Sequence, residues 1–168
     1  MHREVKQQNS NRPEGRTAVA TSNQVWQPPE WPMFKVNVDA AFDKSLNRMG
    51  MGIIVRDSEG KIQACLTAPK EWVFSAAQAE RAALQRAMFM CFEMGMHQVI
   101  FEGDAKVVID AINSKEMDSS WHGQETEDLQ QWMAAHPFWR LFFVYRSANQ
   151  AAHAAAKEAI KDSCENFG

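Results

Sequence analysis

Four side chains of this chain could do chemistry: Asp39, Glu80, Asp104 and His153. Asp39 lies inside the alternating run FKVNVDAAF, and aspartate is disfavoured in strand interiors. It belongs either to the solvated face of an edge strand, with Lys35 and Asn37, or to a site. Glu80 shares a helical face with Leu84, Ala87 and Cys91, at spacings of 4, 7 and 11. A carboxylate on that apolar face loses hydration unless something positive compensates, or else reaches solvent at the rim of the helix's first turns. Asp104 ends VIFEGD at a strand-to-helix turn, which suits a helix cap and equally the place where sites form in open α/β sheets. His153 shares a face with Asn149, Ala156 and Ile160, as a packed histidine or as a ligand. Taken together, three carboxylates on core elements repel one another unless hard cations neutralise them. Oxygen ligands of this kind suit Mg²⁺ or Mn²⁺ rather than zinc.

The elements that must position these groups are legible from periodicity. Residues 34–42 read as a strand, with Phe34, Val36, Val38, Ala40 and Phe42 on one side. GMGIIVRD and KIQACLT, joined by a turn at Asp57–Gly60, complete an antiparallel meander. Gly50 and Gly52 inside the second strand predict a bulge or the close approach of another segment. The period then changes to 3.6. Ser75 and Gln78 form a capping box for a helix to about residue 94, which Gly95 stops. HQVIFEG predicts a strand, Asp104–Ile112 a helix, and 113–121 a polar connection. Gly123–Ala135 predicts a helix, WRLFFVYR a strand and Asn149–Ile160 the last helix. The fold class is α/β: a mixed five-stranded sheet in the order β-β-β-α-β-α-α-β-α, with helices packed on it.

Composition bounds the function. At 168 residues, 45% hydrophobic and 23% charged, the chain is long enough for one core. Its apolar runs fall far below the ~20 residues that cross a bilayer, so no membrane partner is expected. Cys65, Cys91 and Cys164 are an odd set with no metal spacing, which suits a reducing intracellular compartment: nucleus, cytoplasm or an organelle. Residues 1–25 carry Arg3, Lys6, Arg12 and Arg16 against Glu4 and Glu14, a balance of +2. That leaves −5 for the remainder of a chain at −3. Affinity built mainly on phosphate neutralisation calls for a basic protein, so this balance argues against strong non-specific nucleic-acid binding. The expected layout is a flexible tail over 1–25, a domain over 26–163 and a C-terminal tail over 164–168. WQPPEWP (residues 26–32) forms an extended lead-in pinned by its tryptophans.

The segments VNVDAAF, AERAAL, EGDAKVVIDAI and VYRSANQAAHAAAK occur in an order that resembles the ribonuclease H-type domain of plant reverse-transcriptase-related proteins. The entry WQPPEWPMFKVNVDAAF is similar to the family's Trp-x-Pro-Pro followed by Lys-x-Asn-x-Asp. The resemblance spans roughly residues 26–161 and implies the RNase H-like fold. It implies that Asp39, Glu80, Asp104 and His153 are the catalytic residues and metal ligands, His153 standing where the wider family has a fourth carboxylate. The implied activity is two-metal endonucleolytic cleavage of the RNA strand of RNA–DNA hybrids, with Mg²⁺ or Mn²⁺ as cofactor. Lys106 and Arg146 are expected to meet phosphate, and Asn47 and Asn149 to offer hydrogen bonds to substrate.

Departures from the family pattern frame the alternative. Ala40 replaces the usual glycine, Ala76 and Ala105 stand where polar substrate contacts are common, and no basic protrusion follows the first long helix. These features predict weak hybrid binding. They also fit a weakly active or inactive module of the same fold that binds nucleic acid or a protein partner, with Trp121, Trp132 and Trp139 as candidate contacts. The chain is expected to act as a monomer.

Overall fold

A computed structural model describes residues 24–114 and 123–168. The meander forms as its alternation requires: β1 (Phe34–Asp43), β2 (Arg48–Arg56) and β3 (Ile62–Glu71). Then follow α1 (Ala76–Glu93), β4 (Val99–Gly103), α2 (Lys106–Asn113), α3 (Gly123–Ala135), β5 (Trp139–Phe143), α4 (Gln150–Ala159) and β6 (Asn166–Phe167). A 3₁₀ turn over Arg146–Ala148 leads into α4. The sheet has six strands in the order β5-β4-β1-β2-β3-β6, with β1 antiparallel to β2 and parallel to β4.

This order corrects one expectation and decides between two alternatives. The sheet has six strands rather than five, because part of the anticipated C-terminal tail forms β6, pairing Phe167 with Leu66 on β3. β1 is central rather than an edge, so its second face is not solvated. Lys35, Asn37 and Asp39 are all buried, the last two completely. Two ladders satisfy the backbone of β1 as far as Asn37, and the polar side chains must find their own partners.

The two faces of the sheet are covered differently. Val36 and Val38 pack with Ala79, Ala83, Leu84 and Ala87 of α1 in the main core. The opposite face of β1 and β2 carries α4. There Gly50 and Gly52 let backbone approach backbone: a Cβ on Gly52 would lie 2.3 Å from the Ala152 carbonyl oxygen, and one on Gly50 2.2 Å from the Ile160 nitrogen. The expected close approach is therefore by α4, whose contacting residues, Ala152, Ala156 and Ala159, are themselves small and buried. Beyond the reach of α4, the lead-in covers the sheet. Trp26 stacks on the Arg56 guanidinium at 3.8 Å, and the Gln27 carbonyl accepts from Lys35. Trp31, in contrast, is exposed and pins nothing.

The caps follow the sequence. Ser75 Oγ accepts from the Gln78 amide at the start of α1, and Gln78 Oε1 accepts from the Phe74 amide. Gly95, at φ +67°, closes the helix with its amide donating to the Phe92 carbonyl. The stretch 144–146, expected as strand, leaves the sheet after Phe143, because the Val144 amide already bonds the Gly103 carbonyl at the strand end.

Candidate metal centre

The pairing of β1 with β4 ends at Asn37 and Glu102. Beyond that point the two parallel strands separate at their carboxyl ends, where open α/β sheets place their sites. Asp39 enters this gap from β1, two residues past the last pair. Asp104 enters from the residue after β4, and Glu80 from the first turns of α1. One carboxylate oxygen from each lies within 4.8 Å of the other two. No other set of three or more such ligands is present among the described residues.

The two ordinary explanations for these acids do not describe the structure. Glu80 is turned into the cluster rather than out at the rim. Asp104 does not cap α2, whose N-cap is Ala105 with no side-chain cap bond. The Asp104 side chain instead pairs with Arg146, whose Nε lies 2.9 Å from Oδ2.

The electrostatics are those of crowded acids. Glu80 is pushed up to about 9, first by burial and then by the charges of Asp39 and Asp104, with a hydrogen bond from the Ala40 backbone pulling back. Asp39 is likewise raised, by burial and by the Asp104 charge, against the lowering effect of a hydrogen bond from His153. Asp39 Oδ1 is buried without a hydrogen-bond partner. A buried carboxylate oxygen left unpaired is costly, and a hard cation is the ligand that relieves it. The donor set and the orphaned oxygen together fit a divalent cation.

His153 is drawn to the site through Asp39. Its Nδ1 lies 2.7 Å from Asp39 Oδ2. With Asp39 ionised, that nitrogen must donate, and Nε2 is left outside this contact. His153 therefore stands beside the three-carboxylate cluster as the partner of Asp39, its Nδ1 committed to a hydrogen bond.

The anticipated substrate contacts separate. Arg146 reaches the cluster. Lys106 follows Asp104 closely in sequence, but its ammonium pairs with Asp110 at 2.6 Å on the exposed side of α2. Asn47 lies in the exposed β1–β2 turn at φ +47°. The register Asp39↔Gly52 and Asp43↔Arg48 puts that turn at least four residues farther along β1, about 13 Å at the usual strand rise. Asn149 is corrected outright. It is fully buried, with Nδ2 donating to the Val38 carbonyl at 3.0 Å and Oδ1 accepting from Asn37 Nδ2 at 3.0 Å, so it fixes α4 to β1.

Asn149 belongs to a buried polar network that sequence reasoning missed. Asn37 Nδ2 also donates to Glu102 Oε1 at 3.2 Å, and Asn37 Oδ1 accepts from Arg56 at 3.0 Å. Glu102 pairs with Lys35 at 3.3 Å. The signal was the polar alternation of Lys35, Asn37 and Asp39, which has this meaning only once β1 is known to be central. Of the candidate tryptophans, one is withdrawn from solvent and one is half-buried. Trp139 is buried, with Nε1 donating to the Met96 carbonyl, and Trp132 packs on the core. Trp121 lies outside the described residues.

Known proteins place this geometry. A search of the curated proteins found no match. Among solved structures, RNase H1 from the halophilic archaeon Halobacterium salinarum is similar at TM-score 0.68 and 20% identity, covering 78% of this chain and 99% of that one. The N-terminal RNase H domain of a Mycobacterium tuberculosis protein is similar at TM-score 0.67 and 14% identity, covering 77% and 94%. LC11-RNase H1 in complex with RNA/DNA hybrid is similar at TM-score 0.65 and 16% identity, covering 76% and 96%. Residues 37–159, which hold every member of the cluster and its two partners, match the family described as Reverse transcriptase-like. The chain belongs to that reverse transcriptase-like family and has the RNase H fold.

Proposed function

We propose that the protein is a divalent-cation-dependent ribonuclease that cleaves the RNA strand of RNA–DNA hybrids. One observation carries the reading: Asp39, Glu80 and Asp104 converge within 4.8 Å, and an oxygen of the buried Asp39 lacks a partner. A domain that only bound a partner would gain nothing from that costly arrangement. Support also comes from the similar LC11-RNase H1, whose structure was solved with RNA/DNA hybrid bound.

Asp39, Glu80 and Asp104 would hold Mg²⁺ or Mn²⁺. When bound, such ions supply Lewis acidity at the scissile phosphate, activate water for attack and neutralise charge on the leaving oxygen. The chain's own residues set the conditions for this. Glu80 must give up its proton for the cluster to act as a full ligand set. His153 orients Asp39 through Nδ1 and keeps Nε2 for moving a proton at the leaving oxygen. Arg146 supplies positive charge at the rim, with planar donors suited to phosphate. Ala40, Ala76 and Ala105 bring only methyl groups to the flanks, so hybrid binding is weak and depends on backbone and cation contacts.

The test is incubation of a labelled RNA–DNA hybrid with Mg²⁺ and separately with Mn²⁺, beside Asp39→Asn. The expected result is cation-dependent cleavage of the RNA strand that the variant loses. Equal cleavage by both proteins, or none with either ion, overturns the reading. The alternative, a purely binding module, draws on the alanine replacements, the acidic balance and candidate tryptophans, of which Trp139 is buried and Trp132 half-buried against the core.

A further inference from the structure

Among the described residues, Arg146 is the only Lys or Arg paired with any of the three carboxylates. The pair is asymmetric. The Asp104 side chain is 7% exposed, whereas that of Arg146 is 56% exposed and hangs from the 3₁₀ turn that leads into α4. The cation therefore sits at the mouth of the site and the anion inside it.

We propose that Arg146 is a displaceable counter-charge, pairing with Asp104 in the cation-free protein, yielding to a divalent ion, and then offering its guanidinium to a phosphate of the nucleic acid. The proposal rests on reading the carboxylates as a cation site. A guanidinium hydrogen-bonded to Asp104 Oδ2 and a divalent ion on the same carboxylate repel each other at close range. The exposed partner is the one free to leave, because water stabilises it outside while Asp104 stays held in the fold. Released, its fork of N–H donors matches phosphate oxygens. Arg146 also lies under the influence of Asp39 and Glu80, so it answers the charge of the whole cluster.

This arrangement couples two ligands through one side chain. Divalent cation binding frees Arg146 and strengthens nucleic-acid binding. By reciprocity, nucleic acid that draws Arg146 outward strengthens cation binding by the same factor.

The experiment titrates MnCl₂ into the full chain, Arg146→Gln and Arg146→Lys by calorimetry at low ionic strength, with Tm as the check on folding. Removing the competing charge should tighten Mn²⁺ binding roughly five- to tenfold in Arg146→Gln, while Arg146→Lys stays near the parent. The Arg146 Nε–H resonance, assigned by its loss in Arg146→Gln, should move when Mg²⁺ is added to the parent protein. A merely structural arginine would not respond. Equal or weaker Mn²⁺ affinity in a folded Arg146→Gln, or an Nε–H signal unmoved at saturating Mg²⁺, overturns the proposal and leaves the cation site standing. Failure of all three proteins to bind Mn²⁺ overturns the cation site itself, and this proposal with it.

Discussion

Glu80 carries the clearest signature of the site at the scale of a single residue. Its carboxyl is held protonated up to about 9 by burial and by the charges of Asp39 and Asp104. The folded state thus binds a proton there that the unfolded chain releases near the ordinary glutamate value. The stability this proton contributes is fully present below about pH 4.5 and is lost as pH rises through about 9. Without divalent cations, Tm should therefore fall across that window, and Glu80→Gln, which cannot ionise, should show a flatter profile. Cation binding displaces the proton. Calorimetric enthalpies of Mn²⁺ binding at pH 7 should vary with the ionisation enthalpy of the buffer in the parent and much less in the variant. A buffer-independent enthalpy in the parent would mean that Glu80 is already ionised.

The residue types were readable before the structure, because a carboxylate on an apolar helix face and another inside a strand each demand an explanation. Their convergence was not readable. It depends on β1 and β4 parting after Asn37 and Glu102, a tertiary event with no local signature. Asn149 shows the reverse failure. A polar residue at a helix start reads as available, yet burial against β1 uses both ends of its amide.

At the scale of elements, the contact of α4 with β2 decides where His153 stands. Gly50 and Gly52 leave the helix backbone resting on the strand, and Asp39 lies directly opposite Gly52 in the ladder. Gly52→Ala would put a methyl 2.3 Å from the Ala152 carbonyl oxygen and 2.5 Å from the Ala156 nitrogen, neither of which is a flexible side chain. The helix must move away. The expected loss is about 2–3 kcal/mol in urea unfolding, typical of overpacking. A Gly52→Ala protein with unchanged stability would show that the contact is looser than the geometry states. The sequence announced this approach through two glycines in a strand, without saying which segment arrives. The alanines of α4 gave the complementary half, legible only as a pair.

At the scale of the whole molecule, the acidic balance and the cluster belong together. A chain at −3 gains little from phosphate attraction, and the carboxylates add repulsion that bound cations must offset. The C-terminal segment was the least legible part, because two paired residues carry no periodicity. Its attachment is nevertheless specific. Cys65 and Gly168 exchange backbone hydrogen bonds at 2.8 and 2.9 Å, and Arg86 holds Glu165 through two contacts of 3.0 and 2.8 Å. Deleting residues 164–168 should cost about 1 kcal/mol, read as a Tm lower by roughly 2–4 °C. An unchanged Tm would show that these contacts contribute nothing.

The position of β6 has a consequence beyond melting. β3 is a ten-residue strand, and without its short neighbour its outer N–H and C=O groups would meet solvent as an open template. A two-residue strand is too brief to recruit another molecule, yet it occupies the middle of that template. The final residues thus act as a shield against sheet-to-sheet joining between molecules, and their removal should appear as concentration-dependent light scattering well below the melting temperature.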